Sequence, residues 1–225
     1  ALIRRGQIQG VKLRTGVVVP RLITAENTVT GVETRAGVFR ASAVVLATGG
    51  RSCRALGSTG AGLSMAQQAG HTLVKLLPAL VPLVVGETWV SRLAGVSLSE
   101  ARIDIHLPRQ TRIGVPGNIL FTHRGLSGPA VLDVSGDIAS LLEKHQTVPV
   151  RLSLLAGVSP SDWEVVFDQW REEAGRKKIA NLLDWKLPAS LARVICDHVG
   201  GLEATTASSL SRDQRQQLIK MLTAL

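Results

Sequence analysis

The sequence is poor in cysteine. Its 225 residues include two, Cys53 and Cys196, which lie far apart and outside any spacing typical of a metal site. Two distant thiols do not form the disulfide framework on which many small secreted domains depend. We therefore expect a protein without disulfides or a bound metal, located in a reducing cytoplasm.

Long hydrophobic runs are also missing. A membrane-spanning helix needs roughly 18 or more consecutive apolar residues, whereas the apolar stretch Leu76–Val85 is short and contains prolines. The charged segment Ala1–Arg5 is not followed by the apolar core of a secretory signal. These absences predict a protein that has no membrane partner.

Aromatic residues are scarce, at 3% of the sequence, while 26 lysines and arginines against 17 acidic residues leave a net charge of +9. Such a surplus suits either a surface that binds nucleic acid or another anion, or the solvated surface of an ordinary enzyme. The basic residues are scattered, with one run at Arg176–Lys178, and few aromatic residues lie among them. This pattern favours the second interpretation, so we expect a small-molecule substrate and no nucleic-acid partner.

The first 77 residues are rich in β-branched residues and turn signals, which predicts strands. The predicted strands are Val11–Arg14, Val17–Thr24, Thr28–Thr34 and Val38–Arg40. The small apolar run Ala43–Ala47 predicts a further strand, buried on both faces as in a parallel sheet. A short helix over Leu63–Ala69 follows, with Ser58 or Thr59 as its cap and Gly70 as its end.

Residues 78–156 contain strand-like pieces that Gly and Pro interrupt, with one helix near Pro129–Leu142. This pattern is typical of a small barrel or sandwich. One strand-like piece, Thr72–Leu76, lies just before this region. The pieces within it are Leu80–Val85, Ala101–Leu107, Asn118–Thr122 and Val148–Leu154.

Residues 157–225 are predicted to be helical. Ser159 and Asp162 begin one helix as a cap and an early acid, and Ser211 with Gln214 forms a capping box for the last helix. The sequence thus predicts three regions, 1–77, 78–156 and 157–225, of which the last is a small helical bundle.

Two glycine-rich segments are candidates for binding a cofactor. Thr48-Gly49-Gly50 follows the predicted buried strand, where α/β folds bring backbone close to a ligand, although a plain tight turn explains it equally well. Gly57–Gly62 leads into a helix, whose free amides attract phosphate, although a simple cap explains that segment at least as well. Neither segment has the spacing of the dinucleotide fingerprint or of a P-loop.

A third segment, Leu120–Ala130, places His123 and Arg124 between a strand and a glycine-bracketed turn. A histidine can exchange protons near neutral pH, and an arginine can hold an anionic substrate. The alternative, which the residues alone favour, is a histidine and an arginine exposed on a structural turn.

Five motifs together resemble a family of bacterial NAD(P)/FAD-dependent oxidoreductases that includes aminoacetone oxidase-type flavoproteins. The motifs are Ala47–Gly50, Gly57–Gly60, Gly70-His71, Pro78–Leu83 and Leu120–Ala130. Their order and spacing match the family. The resemblance implies a mixed α/β fold: a glutathione-reductase-like FAD domain interrupted by an inserted small β-barrel and a helical subdomain.

The resemblance also implies FAD as the cofactor. The residues that would bind it are Ala47, Thr48, Gly49, Gly50, Gly57, Ser58, Thr59 and Gly60. The first four would lie near the adenosine–pyrophosphate half, and the rest nearer the flavin or the substrate cleft. His123 and Arg124 are the candidate catalytic residues. Electrons would come either from NAD(P)H or from the substrate itself.

The Gly-x-Gly-x-x-Gly fingerprint of the family is missing from the sequence, as is the family's glycine-rich return segment that closes the flavin site. We therefore expect an internal portion of the longer enzyme, which alone binds FAD weakly or not at all. The alternative function is that of a non-catalytic remnant or interaction module.

Overall fold

A computed structural model describes residues 1–108 and 110–225, and for Gln110 the backbone alone. It divides the chain into two compact units, Ala1–Lys75 and Leu76–Leu225. The finer division of the second unit into a barrel domain and a helical subdomain stays a prediction. Within the described ranges no helix combines the length and the apolar character needed to cross a membrane.

The first unit is built around a small antiparallel sheet of three strands in the order β1-β2-β3. Glu26 and Asn27 both have positive φ, at 49° and 61°, which is the backbone of a two-residue turn that suits a twisted hairpin. The predicted strands Thr28–Thr34 and Val38–Arg40 are confirmed. The elements are α1 (Leu2–Ile8), β1 (Arg21–Ala25), β2 (Thr28–Thr34), β3 (Gly37–Arg40), a single 3₁₀ turn (Arg54–Leu56) and α2 (Ala61–Gln68).

Three strand predictions in and near this unit were wrong. Val11–Arg14 and Thr72–Leu76 are irregular, and Ala43–Ala47 is neither a strand nor buried, since the Val45 residue is 89% exposed. A strand buried on both faces needs paired neighbours and packed layers, and no described strand pairs with residues 43–47. Every described strand pair is antiparallel, so the glutathione-reductase-like sheet stays a prediction.

The second unit contains a curled sheet in the order β4-β8-β7-β5-β6, with β9 also pairing with β5. The long strand β5 pairs with β7 in its first half and with β6 and β9 in its second half. A register shift between Leu98 and Ala101, where Glu100 has a φ of 58°, bends the strand between the two pairings. The predicted small barrel therefore fits. The strands are β4 (Leu83–Val84), β5 (Ser97–Leu107), β6 (Gln110–Arg112), β7 (Gly117–Thr122), β8 (Gly125–Ser127) and β9 (Val150–Ser153).

The predicted helices of the second unit are confirmed, with small differences at their ends. Both predicted capping boxes are present, Ser159 with Asp162 and Ser211 with Gln214. The helix Ala189–His198 has Pro188 as its N-cap residue. The helices are α3 (Pro129–Leu142), α4 (Pro160–Glu173), α5 (Ile179–Asp184), α6 (Ala189–His198) and α7 (Arg212–Ala224), with short 3₁₀ segments at Thr88–Leu93 and Leu202–Ala204.

One hydrophobic core runs through the barrel strands and the helices. Ile103 and Phe121 of the sheet belong to the same buried cluster as Trp163 of α4 and Leu218 of α7. Trp163, Phe167 and Trp170 pack against one another in tilted and edge-to-face arrangements, with ring centroids 5.3–6.3 Å apart. These three residues recur at the spacing of one helix face, which is the face that α4 buries.

We predict that Ser159→Ala destabilises the second unit by about 1 kcal/mol, because the hydroxyl accepts a hydrogen bond from the Asp162 amide at the start of α4. Urea unfolding followed by far-UV circular dichroism measures the change in the free energy of unfolding. Ser161→Ala is the matched control, since Ser161 is exposed on the same helical turn and does not cap it. Equal stability of the two variants would contradict this role of Ser159.

Candidate functional site

His123 and Arg124 form the two-residue turn between β7 and β8. Thr122 pairs with Gly125 across this hairpin, and the Thr122 hydroxyl donates to the Gly125 carbonyl at 3.0 Å. The side chains of His123 and Arg124 are exposed and make no hydrogen bond or ion pair with the rest of the described chain. The turn therefore presents both groups to solvent and leaves them available to a ligand.

The glycines of the same motif have a packing role. A Cβ added at Gly125 would lie 2.0 Å from the Leu83 carbonyl oxygen, and one added at Gly128 would lie 2.6 Å from the Asn118 carbonyl oxygen. Both contacts are with backbone that cannot move without breaking the sheet. The two glycines thus allow β8 and the residue after it to pack closely against β4 and β7.

In the first unit, the two glycine-rich segments predicted to bind the cofactor lie against each other. A Cβ at Gly62 would lie 2.1 Å from the Thr48 hydroxyl oxygen, and one at Gly49 would lie 3.0 Å from the Ser58 hydroxyl oxygen. Gly62 is buried, whereas Thr48 and Gly49 are exposed. Residues 47–50 and 57–62 therefore form one small-residue surface, here called the glycine cradle.

The helix that follows the cradle begins without a side-chain cap. Neither Ser58 nor Thr59 caps α2, contrary to the prediction, because Gly60 occupies the N-cap with a φ of 83°. The first amides of α2 thus have no side-chain acceptor within the described chain, and free amides at a helix start attract anions. The predicted end at Gly70 is confirmed: the His71 amide donates to Ala66 and the Gly70 amide to Gln67, the pattern of a glycine-terminated helix.

The cradle and the hairpin turn belong to different compact units, so their joining into one site stays a prediction. Cys53, which follows the cradle's first loop, is exposed and has a free thiol. No group of three or more potential metal ligands occurs among the described residues. The sequence-predicted residues thus form two separate groups, each with open polar or backbone groups.

Sequence reasoning missed a polar cavity of about 340 Å³ between α4 and α7. Arg215 spans its wall: one guanidinium nitrogen donates to Asp168 at 2.6 Å and the other pairs with the Glu164 carboxylate. The hydrogen bond from Arg215 lowers the pKa of Asp168, and Asp168 raises the pKa of Arg215. The lining residues are Glu164, Phe167, Arg171, Ala207, Leu210, Arg212, Arg215 and Gln216.

Helical spacing in the sequence could have identified the two helix faces that line this cavity. Glu164, Phe167 and Arg171 are three to four residues apart on α4, as are Arg212 and Arg215 on α7, so each set shares one helix face. What the sequence does not show is that the two faces meet. That pairing depends on the packing of α4 against α7.

Comparison with known proteins identifies relatives over most of the chain. Residues 77–225 match the family described as HI0933-like protein barrel and H2TH domain. The chain is 30% identical, over 94% of its length, to 3-dehydro-bile acid delta(4,6)-reductase from Clostridium scindens, of which the match covers 51%.

Two further relatives are named ribosomal RNA dihydrouridine synthase. The Escherichia coli protein is 28% identical over 80% of this chain and 42% of its own length. The Haemophilus influenzae protein is 36% identical over 41% of this chain and 22% of its own length. The chain thus spans about half the length, or less, of the curated relatives it matches.

The family match agrees with the resemblance that the five motifs indicate. So do the barrel and the helical bundle of residues 77–225 and the glycine-bracketed hairpin within them. The chain belongs to the HI0933-like family, a family of FAD-dependent oxidoreductases.

Proposed function

We propose that this chain is the central part of a FAD-dependent oxidoreductase that acts on a small molecule. The observation that carries the proposal is the glycine cradle, in which two loops of small residues meet beside the uncapped start of α2. A reductase that is 30% identical along nearly the whole chain supports the reaction class. Bound FAD would supply the electron transfer, while the protein contributes position and electrostatics.

The cradle fits a phosphate-bearing cofactor. Gly62 and Gly49 let the two loops pack closely on each other, and the backbone of Thr48, Gly49 and Gly50 stays exposed beside the helix start. Thr48, Ser58 and Thr59 add hydroxyl groups that can donate to anionic oxygens. These residues would hold part of FAD, and the dinucleotide fingerprint would have to come from outside the 225 residues of this sequence.

His123 is proposed to face the substrate, with Arg124 beside it as a second polar group. The exposed turn leaves the imidazole free of protein partners within the described chain, so it can exchange a proton with a ligand. The electrons would come either from reduced nicotinamide or from the substrate itself. A cytoplasmic location remains part of the proposal.

A second candidate substrate is a nucleobase within RNA. Two relatives are named for ribosomal RNA, and the net charge of +9 suits a polyanion. This candidate departs from the expectation of no nucleic-acid partner, which was based on the scarcity of aromatic residues near the basic ones.

We predict that Gly62→Ala weakens FAD binding by the full-length flavoprotein about tenfold or more, because the new methyl group must push the Thr48 loop away from α2. Fluorescence titration of the apoprotein with FAD measures the Kd. Gly86→Ala is the control, because a Cβ there meets open space and Gly86 lies outside the cradle. Unchanged FAD affinity in the Gly62→Ala variant would remove the cradle from the cofactor site.

We predict that His123→Ala in the flavin-loaded protein lowers kcat about a hundredfold, the typical contribution of a general acid or base, with no loss of bound flavin. Steady-state turnover and the visible flavin band measure the two effects on one sample. His145→Ala, at an exposed position after α3, should leave both unchanged. Normal turnover in the His123 variant would mean that the hairpin turn is structural.

A further inference from the structure

Trp185 is exposed on the helical part of the second unit, although tryptophan is usually buried. The residue is 81% exposed, whereas Trp163 and Trp170 are buried in the core and Trp89 is half-buried. Trp185 follows α5, whose other side buries Ile179, Leu182 and Leu183. Its indole ring therefore offers a flat apolar surface that the fold of this unit does not use.

Basic groups lie at both ends of α5. Lys178 is the N-cap residue and Trp185 is the C-cap residue of this helix, and both are exposed. The Lys186 ammonium lies 5.8 Å from the centre of the Trp185 ring. Asp184 is the one acidic residue of residues 178–186. The sequence alone did not reveal that an aromatic ring lies near several cations, because Trp185 is seven positions after Lys178, the last residue of the basic run.

The basic run is held in place by backbone pairing. Lys178 forms an antiparallel bridge with Thr206, and the Ala207 amide donates to the Lys177 carbonyl at 3.0 Å. Ala207 also lines the cavity between α4 and α7 that contains Arg171 and Arg212. The cations thus continue along the chain surface from α5 to the edge of that cavity.

Arg171 and Arg212 carry charge that the cavity does not neutralise. The two carboxylates Glu164 and Asp168 are already paired with Arg215. Neither Arg171 nor Arg212 makes an ion pair within the described residues. Arg212 is also the first residue of α7, where the helix dipole adds to its positive potential. The surplus of positive charge suits phosphate oxygens.

We propose that this surface, here called the α5 face (Arg176–Lys178, Trp185 and Lys186), binds single-stranded RNA. A base stacks on Trp185, and Lys178 with the neighbouring cations contacts the phosphates. The six residues of α5 that lie between Lys178 and Trp185 span about 9 Å at ~1.5 Å each, which corresponds to about three phosphates of a stacked strand at ~3.4 Å spacing. This inference rests on the second candidate of the proposed function, RNA as substrate.

The test is the binding of short single-stranded oligoadenylate to the 225-residue chain, measured by the anisotropy of labelled RNA, with the loss of tryptophan quenching in Trp185→Ala as a second signal. Trp185→Ala should weaken binding about tenfold or more, because stacking on an aromatic ring contributes strongly to single-strand affinity. Trp185→Phe should retain most of the affinity. Since Trp185 is exposed, none of these changes removes a core contact.

Salt dependence separates stacking from phosphate contacts. Lys178→Gln should reduce the slope of log affinity against log salt concentration by about 0.7, the value for one phosphate contact of a single strand, whereas Trp185→Ala should leave that slope unchanged. Val165→Ala and Arg151→Gln, an exposed apolar and an exposed basic position on α4 and β9, are the controls and should change neither quantity.

Equal affinity of Trp185→Ala and the parent chain would overturn the proposal, as would the lack of any binding at low salt. A shift of tryptophan emission that follows protein concentration without RNA, and that Trp185→Ala abolishes, would also overturn it, because it would show that the α5 face joins two copies of the chain. The measurement needs no flavin, so failure here leaves the oxidoreductase proposal untouched, and failure of FAD binding leaves this one untouched.

Discussion

The pairing of strand β9 with the end of helix α7 holds the second unit together. The Leu152 amide donates to the Leu225 carbonyl at 2.8 Å, and the Leu225 amide donates back to Leu152 at 3.0 Å. The Ser153 hydroxyl donates to Thr223 on the same helix end. Because β9 is also hydrogen-bonded to β5, this contact joins the helices to the curled sheet. The sheet and the helices that this junction joins share one hydrophobic core.

The sequence predicted best where local chemistry decides the structure. The capping residues Ser159 and Ser211 mark two helix starts, and the apolar spacing from Trp163 to Trp170 marks the buried face of α4. The helix Pro129–Leu142 was predicted with the bounds that it has. In each of these cases the residues that fix the element are neighbours along the chain, so no knowledge of distant partners is needed.

Prediction was poor where an element depends on neighbours that sequence patterns do not specify. Ala43–Ala47 has the composition of a buried strand, but composition does not supply the strands and layers that would bury it. The cap of α2 was assigned to Ser58 or Thr59, while the backbone conformation of Gly60 takes that place. Trp185 was overlooked because only the structure shows which tryptophan of the four stays exposed.

Two kinds of open surface remain once the core has formed: small-residue loops in the first unit, and charged or aromatic side chains in the second. The central claim is that the glycine cradle is the chain's own contribution to a flavin site. Amide NMR of the chain during titration with FAD tests it most directly. We expect weak, rapidly exchanging binding, with shifts confined to residues 47–62. A tight one-to-one complex, or shifts centred elsewhere in the chain, would contradict this account.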